Sequence, residues 1–138
     1  MDANRPFSGF AEVPHTADIA LDVFAPNLEE LFINAAKGLY HILGIRKGTK
    51  EVENVHISMV AQDSESLMVS LLNELLFHAA NNKAGEFVNL KLCGDQLEAD
   101  LLMLEKTGQQ EEVKAATFND LVIVKESNGF HTRIVFDV

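Results

Sequence analysis

Four residues near the N-terminus, His15-Thr16-Ala17-Asp18, bring an imidazole, a hydroxyl and a carboxylate into one short stretch. They follow the helix-breaking Pro14 and precede the alternating run Ile19, Leu21, Val23, so these polar groups stand at a strand entrance. His15 and Asp18 offer an acid–base couple and Asp18 an oxygen ligand, although a His and an Asp at a strand end more often serve as loop or capping residues. A second carboxylate, Asp137, is the penultimate residue of the last strand, and Val138 adds an α-carboxylate if the chain ends there. If those two strands are neighbours, three anionic groups meet at one sheet edge and repel one another unless a cation sits among them. Oxygen-only donors suit a hard ion, Ca²⁺ or Mg²⁺ with Mn²⁺ as a further candidate, and argue against a structural Zn²⁺. Periodicity does not establish that adjacency; taken alone, the pattern is more often that of two solvated carboxylates.

The remaining polar candidates have plainer readings. Lys114 is an isolated basic residue in an acidic chain. His41 and His78 fall in the last turns of two helical stretches, where a cation complements the helix dipole. His56 and His131 are strand residues with no partner visible in the sequence. Cys93, the only cysteine, cannot form an internal disulfide and reads as a buried small apolar residue in a reducing compartment. The chain lacks Gly-x-Ser-x-Gly, His-Glu-x-x-His, Cys-x-x-Cys and phosphate-loop motifs, so nothing in it supports a self-sufficient nucleophilic, zinc or nucleotide-hydrolysing enzyme.

The elements that must position these groups follow from spacing. Short strands are expected around Gly9 to Val13 and Ile19 to Phe24. Asn27 with Glu30 three residues later makes a capping box, Leu28, Leu31, Phe32, Ala35, Leu39 and Leu43 recur at helical spacing, and Gly44 stands at the C-cap. Arg46 to Lys50 reads as a polar loop, and Val55, Ile57 and Met59 as the buried face of a strand. Asp63 or Ser64 caps a second helix, whose stripe Leu67, Met68, Leu71, Leu72, Leu75 is the densest apolar run in the chain, ending at Asn81-Asn82. Val88 to Leu92 and Leu97 to Met103 form a hairpin around Gly94-Asp95, followed by a polar, mobile segment from Glu105 to Glu112. Leu121 to Lys125 and Phe130 to Val138 form a second hairpin around Asn128-Gly129. In its last strand Thr132, Ile134 and Phe136 share one face and Arg133, Val135 and Asp137 the other. This predicts a single α+β domain over residues 1–138, with two helices on one face of a mostly antiparallel sheet of about seven strands.

Composition agrees. A chain of 138 residues with 47% hydrophobic and 23% charged residues suits one soluble globular domain. It has neither a membrane-length apolar run nor a signal-like N-terminus, which reads as cytosolic. A net charge of −10 disfavours direct nucleic-acid binding, so a role near RNA would run through a protein partner or a bound cation.

Five segments in order resemble the archease family: His15-Thr16-Ala17-Asp18; Leu28 to Phe32 continuing through Ala35 to Leu39; Leu72 to Phe77; Val113 to Phe118; and Val135-Phe136-Asp137-Val138. The resemblance implies a non-catalytic cofactor of an RtcB-type RNA ligase, the GTP- and metal-dependent enzyme that joins RNA ends in tRNA splicing and repair. It implies promotion of that ligase's guanylylation and multiple turnover, and a metal, taken as calcium in the family, on Asp18, Asp137 and Val138. Lys114 matches the family's functional lysine, and with His15 it is assigned to partner activation. The sequence departs from the family in a shorter stretch before Lys114, and in Phe118-Asn119 where Tyr-His is frequent, which removes a hydroxyl and an imidazole.

Two other functions are compatible with the same residues. One is a metal-dependent phosphoester hydrolase using the carboxylates as ligands and His15 as acid or base. The other is a chaperone-like binding module, which requires the Leu67 to Phe77 stripe to be exposed.

Overall fold

The computed structural model describes residues 8–13, 19–112, 115–116 and 121–137, and of residues 115, 116 and 137 the backbone alone. Along these residues the chain runs β1 (Gly9–Val13), β2 (Ile19–Ala25), α1 (Leu28–Leu43), β3 (Arg46–Val60), α2 (Ser64–Ala80), β4 (Lys83–Cys93), β5 (Gln96–Gly108), β6 (Ala115–Ala116), β7 (Val124–Glu126) and β8 (Gly129–Asp137).

The helices start and stop where their side chains dictate. The Asn27 side chain accepts the Glu30 N–H at 2.8 Å, and the Asp63 side chain accepts the Ser66 N–H at 2.7 Å, each satisfying a donor that the first helical turn leaves orphaned. Gly44 ends α1 in the left-handed region at φ 62°, its N–H returning to the His41 carbonyl. Asn82, just beyond α2, is also left-handed at φ 63°, a conformation Asn tolerates better than most residues.

The α+β class holds, but the strands divide into two antiparallel sheets. The first has five strands, in the order β1-β2-β8-β6, with β7 pairing β8 at the other end of the edge that β6 occupies. The second is β3-β5-β4. Helix α1 packs on β1, β2 and β8 but also reaches β4, while α2 packs on β4 and β5 and touches β6. Alternation points to a single sheet because it assigns each strand a buried face without saying which neighbour shares it.

Four local expectations are corrected. Arg46 to Lys50 opens β3 instead of forming a loop, with breaks in register on both sides of Lys47 where β3 runs against β5. Glu105 to Gly108 continues β5, and the N–H groups of Gln110 and Glu111 both bond the Leu43 carbonyl at the end of α1, so polar composition there reflects exposure, not lack of pairing. The second hairpin turns on Ser127-Asn128, one residue earlier than Asn128-Gly129, with Gly129 already paired to Glu126. Cys93 is exposed, not buried: it alternates with Leu92 at the end of β4 and shares the outward face with Lys91.

One apolar core joins the layers, with Leu21, Ile134 and Phe136 from the first sheet, Leu97 and Leu101 from the second, and both helices between them. Leu67, Met68, Leu71, Leu72 and Leu75 are wholly buried. Each contributes about 1.5–3 kcal/mol by leaving water. Most of the stripe that a chaperone-like module would need on its surface, from Leu67 to Leu75, is therefore inside the molecule, and Phe77 at its end is exposed. Among the described residues, no helix is long and apolar enough to cross a membrane.

Candidate functional site

Strands β2 and β8 lie side by side because each offers a clean apolar face. Leu21 pairs with Ile134 and Val23 with Thr132, all buried, whereas the intervening pair Asp22 and Arg133 reaches solvent. Asp22 and Arg133 form a two-point ion pair, Nε to Oδ1 at 2.8 Å and Nη2 to Oδ2 at 3.1 Å, with His131 Nε2 at 3.6 Å from the same carboxylate. The Arg133 guanidinium holds the Asp22 carboxyl below its usual range against the opposing effect of burial. That carboxylate is already satisfied by the fork and is not free to ligate a metal.

The register settles how the strand ends meet. Ile19, the first residue of β2, pairs with Phe136, and Ala115 of β6 pairs with Asp137 across the opposite side of β8. The residue following Asp18 and the residue following Lys114 thus flank the last two paired residues of β8, one on each side. His15, Asp18, Lys114 and Val138 themselves lie outside the described residues, and Asp137 is described by its backbone only. Among the described residues, no group of three His, Cys, Asp or Glu side chains is placed to hold a metal ion.

On the second sheet the fold assembles a group that spacing did not reveal. His56 pairs across β3 and β5 with Asp100, and Ser58 with Glu98. His56 Nδ1 stands 2.7 Å from Asp100 Oδ1 and Nε2 stands 2.6 Å from Glu98 Oε2. A carboxylate on each nitrogen favours the form in which both donate, the imidazolium, and the pKa is raised, chiefly by Asp100 and then Glu98. Ser58 and Gln96 also donate to Glu98, and Asn89 to Asp100. Every member of the group has its partner, which makes it a fixed surface network with no imidazole nitrogen left for base chemistry. Alternation alone puts His56 and Ser58 on one exposed face and Glu98 and Asp100 on another; only the β3–β5 register superposes them.

The two helix-end histidines occupy the last turns as expected. His41 packs against the Phe10 ring at 5.4 Å. His78 is buried, with Nε2 3.4 Å from Glu74 Oε1 in a geometry that makes no hydrogen bond.

Residues 10–138 match the Archease protein family (MTH1598/TM1083). The chain belongs to the archease family. It is 32% identical over 130 residues to the archease of Pyrococcus furiosus, covering 83% of this chain and 87% of that protein. To the archease of Methanosarcina barkeri it is 29% identical over 139 residues, covering 90% and 92%. The archease fold is matched by the crystal structure of a Thermotoga maritima archease described as a possible chaperone, with TM-score 0.70, 22% identity and coverage of 100% and 99%. It is matched equally by the solution structure of Methanobacterium thermoautotrophicum protein 1598, with TM-score 0.70, 25% identity and coverage of 94% and 99%.

Proposed function

We propose that this archease is a non-catalytic protein cofactor that activates an RtcB-type RNA ligase, promoting its guanylylation and repeated turnover in tRNA splicing and RNA repair. The observation that supports this reading most directly is the pairing of Ile19 with Phe136 and of Ala115 with Asp137. Through it the strand ends next to Asp18 and Lys114 share one end of the first sheet with Asp137, although the three residues are far apart in sequence. The donor chemistry fits a hard cation: the two carboxylates, with a main-chain oxygen of Val138, offer oxygen ligands only, suited to Ca²⁺, with Mg²⁺ or Mn²⁺ as alternatives. Such an ion would offset the mutual repulsion of the carboxylates. In this reading the cation-bearing tip docks at the ligase, where preorganised carboxylates orient a metal or favour the conformation that aligns the GTP phosphates. Lys114 and His15 belong to the contact surface.

The test is a multiple-turnover ligation assay with a cognate ligase. Asp18→Ala and Asp137→Ala are expected to keep the circular-dichroism spectrum and to abolish stimulation and calorimetric Ca²⁺ binding. Full stimulation by both variants would sink the proposal. The archease alone with RNA, GTP and Mn²⁺ is expected to turn over nothing; hydrolysis in that control would point instead to the phosphoesterase.

A further inference from the structure

A pocket of about 280 Å³ opens between α1 and the second sheet, away from the β2–β8 strand ends. One helical face supplies Ile33, Ala36, Lys37 and Tyr40, at the spacing that brings side chains to one side of a helix; Lys47 of β3 and Gly85, Glu86 and Phe87 of β4 complete the lining. We propose that this pocket binds a small phosphate monoester carrying a flat apolar group, with Lys37, Lys47 and the Tyr40 hydroxyl on the phosphate and the Phe87 ring against the organic part.

Charge is the first argument. In a chain of net charge −10, one small cavity is lined by two ammonium groups against a single carboxylate, Glu86. Lys47 Nζ lies 4.9 Å above the Tyr40 ring, and its carboxylate neighbour, Glu86, stands 4.0 Å away at the outer limit of an ion pair. Burial, together with the Lys37 charge, lowers the Lys47 pKa, and Glu86 opposes that only in part. A dianion between the lysines would relieve both costs once the Glu86 carboxylate turns outward to solvent, and a phosphate monoester carries about −1.5 to −2 at neutral pH.

Backbone geometry is the second. Register breaks on both sides of Lys47, between Arg46 and Lys47 and again before Glu51, and irregularities of this kind re-aim a side chain out of the ladder.

A third donor is already in place. The Tyr40 hydroxyl, in a residue only 7% exposed, accepts the Gly85 N–H at 2.8 Å. Burial pushes its pKa up to about 12, so it stays a neutral phenol that can donate as well as accept. The volume is near the lower bound of small-molecule pockets, roughly 300 Å³, which suits a one-ring monophosphate and not a folded partner's side chains.

The test is a ¹⁵N-amide NMR titration of the full chain with phenyl phosphate. The amides of Lys47, Gly85 and Phe87 are expected to shift together and to saturate with Kd of about 1 mM. Lys37→Gln and Lys47→Gln should each weaken binding about tenfold, with Lys47→Arg restoring it and Lys125→Gln leaving it unchanged; the same spectra report the fold of each variant. Inorganic phosphate should bind about tenfold more weakly, for want of the ring contact. Shifts scattered over the chain's lysines, indifference to Lys47→Gln, or equal affinity for inorganic phosphate would each overturn the assignment. No ligase enters this experiment, so its result is independent of the proposed activator role.

Discussion

His56 shows how a residue with a plain sequence reading acquires a defined protonation state. Its two carboxylate partners raise its pKa; Asp100 is lowered chiefly by His56, and Glu98 chiefly by Ser58 and then His56, and all three groups are exposed, so the coupling is screened by water and salt. Because the folded-state His56 value lies above the unfolded one, about 6.5, its contribution is complete below that pH and is lost as pH rises through the folded value. Glu98 and Asp100, held below their ordinary values, contribute above those values and lose that contribution as pH falls. The network is therefore intact in the mildly acidic range between the two. In a proton NMR titration the His56 Cε1 resonance should move with a midpoint above about 6.5, and the Glu98→Gln, Asp100→Asn double variant should return it to the ordinary value. A midpoint unchanged by the double variant would mean the clamp does not form in solution.

Among the elements, β8 carries the most responsibility, since β2, β6 and β7 all pair with it. Its first residue is constrained accordingly. Gly129 has φ 146°, and a Cβ there would lie 2.2 Å from the Ala25 carbonyl oxygen and 2.9 Å from the Pro26 Cα, backbone atoms that cannot rotate away. Gly129→Ala should cost about 3 kcal/mol or more through strain and displacement of the β2–α1 connection. Thermal unfolding should register this as a fall in Tm of roughly 10 °C. By contrast Gly94, at φ 59° in the β4–β5 turn, has open space around its missing Cβ, so substitution there meets only the backbone preference.

For the whole molecule, the burial of the α2 stripe separates structural from functional apolar surface. Leu71→Ala should destabilise by about 2–5 kcal/mol, because a fully buried side chain leaves a cavity that the surrounding sheet and helix fill only in part. Under the proposed activator role, ligase stimulation per folded molecule should nevertheless be retained below the lowered Tm; if the helix were a docking surface, stimulation would disappear while stability changed little. Among the described residues, the most exposed large apolar side chains are Phe77, on α2 itself, and Val60 and Val88 on the second sheet.

Local rules were enough for the helices, because caps and stripes are written within a few consecutive residues. Asn27, Gly44 and Asp63 mark the helix limits in the sequence as they do in the fold. The inward face of the last strand, Thr132, Ile134 and Phe136, follows from alternation in the same way. Residue types also nominated Asp18 and Asp137. What only the tertiary structure decided was pairing between distant strands: that β2 and β6 flank β8, that the strands split into two sheets, and that His56 meets Glu98 and Asp100. Alternation has a period of two and gives each side chain a face but not a neighbour, whereas register is chosen by the packing of the whole core.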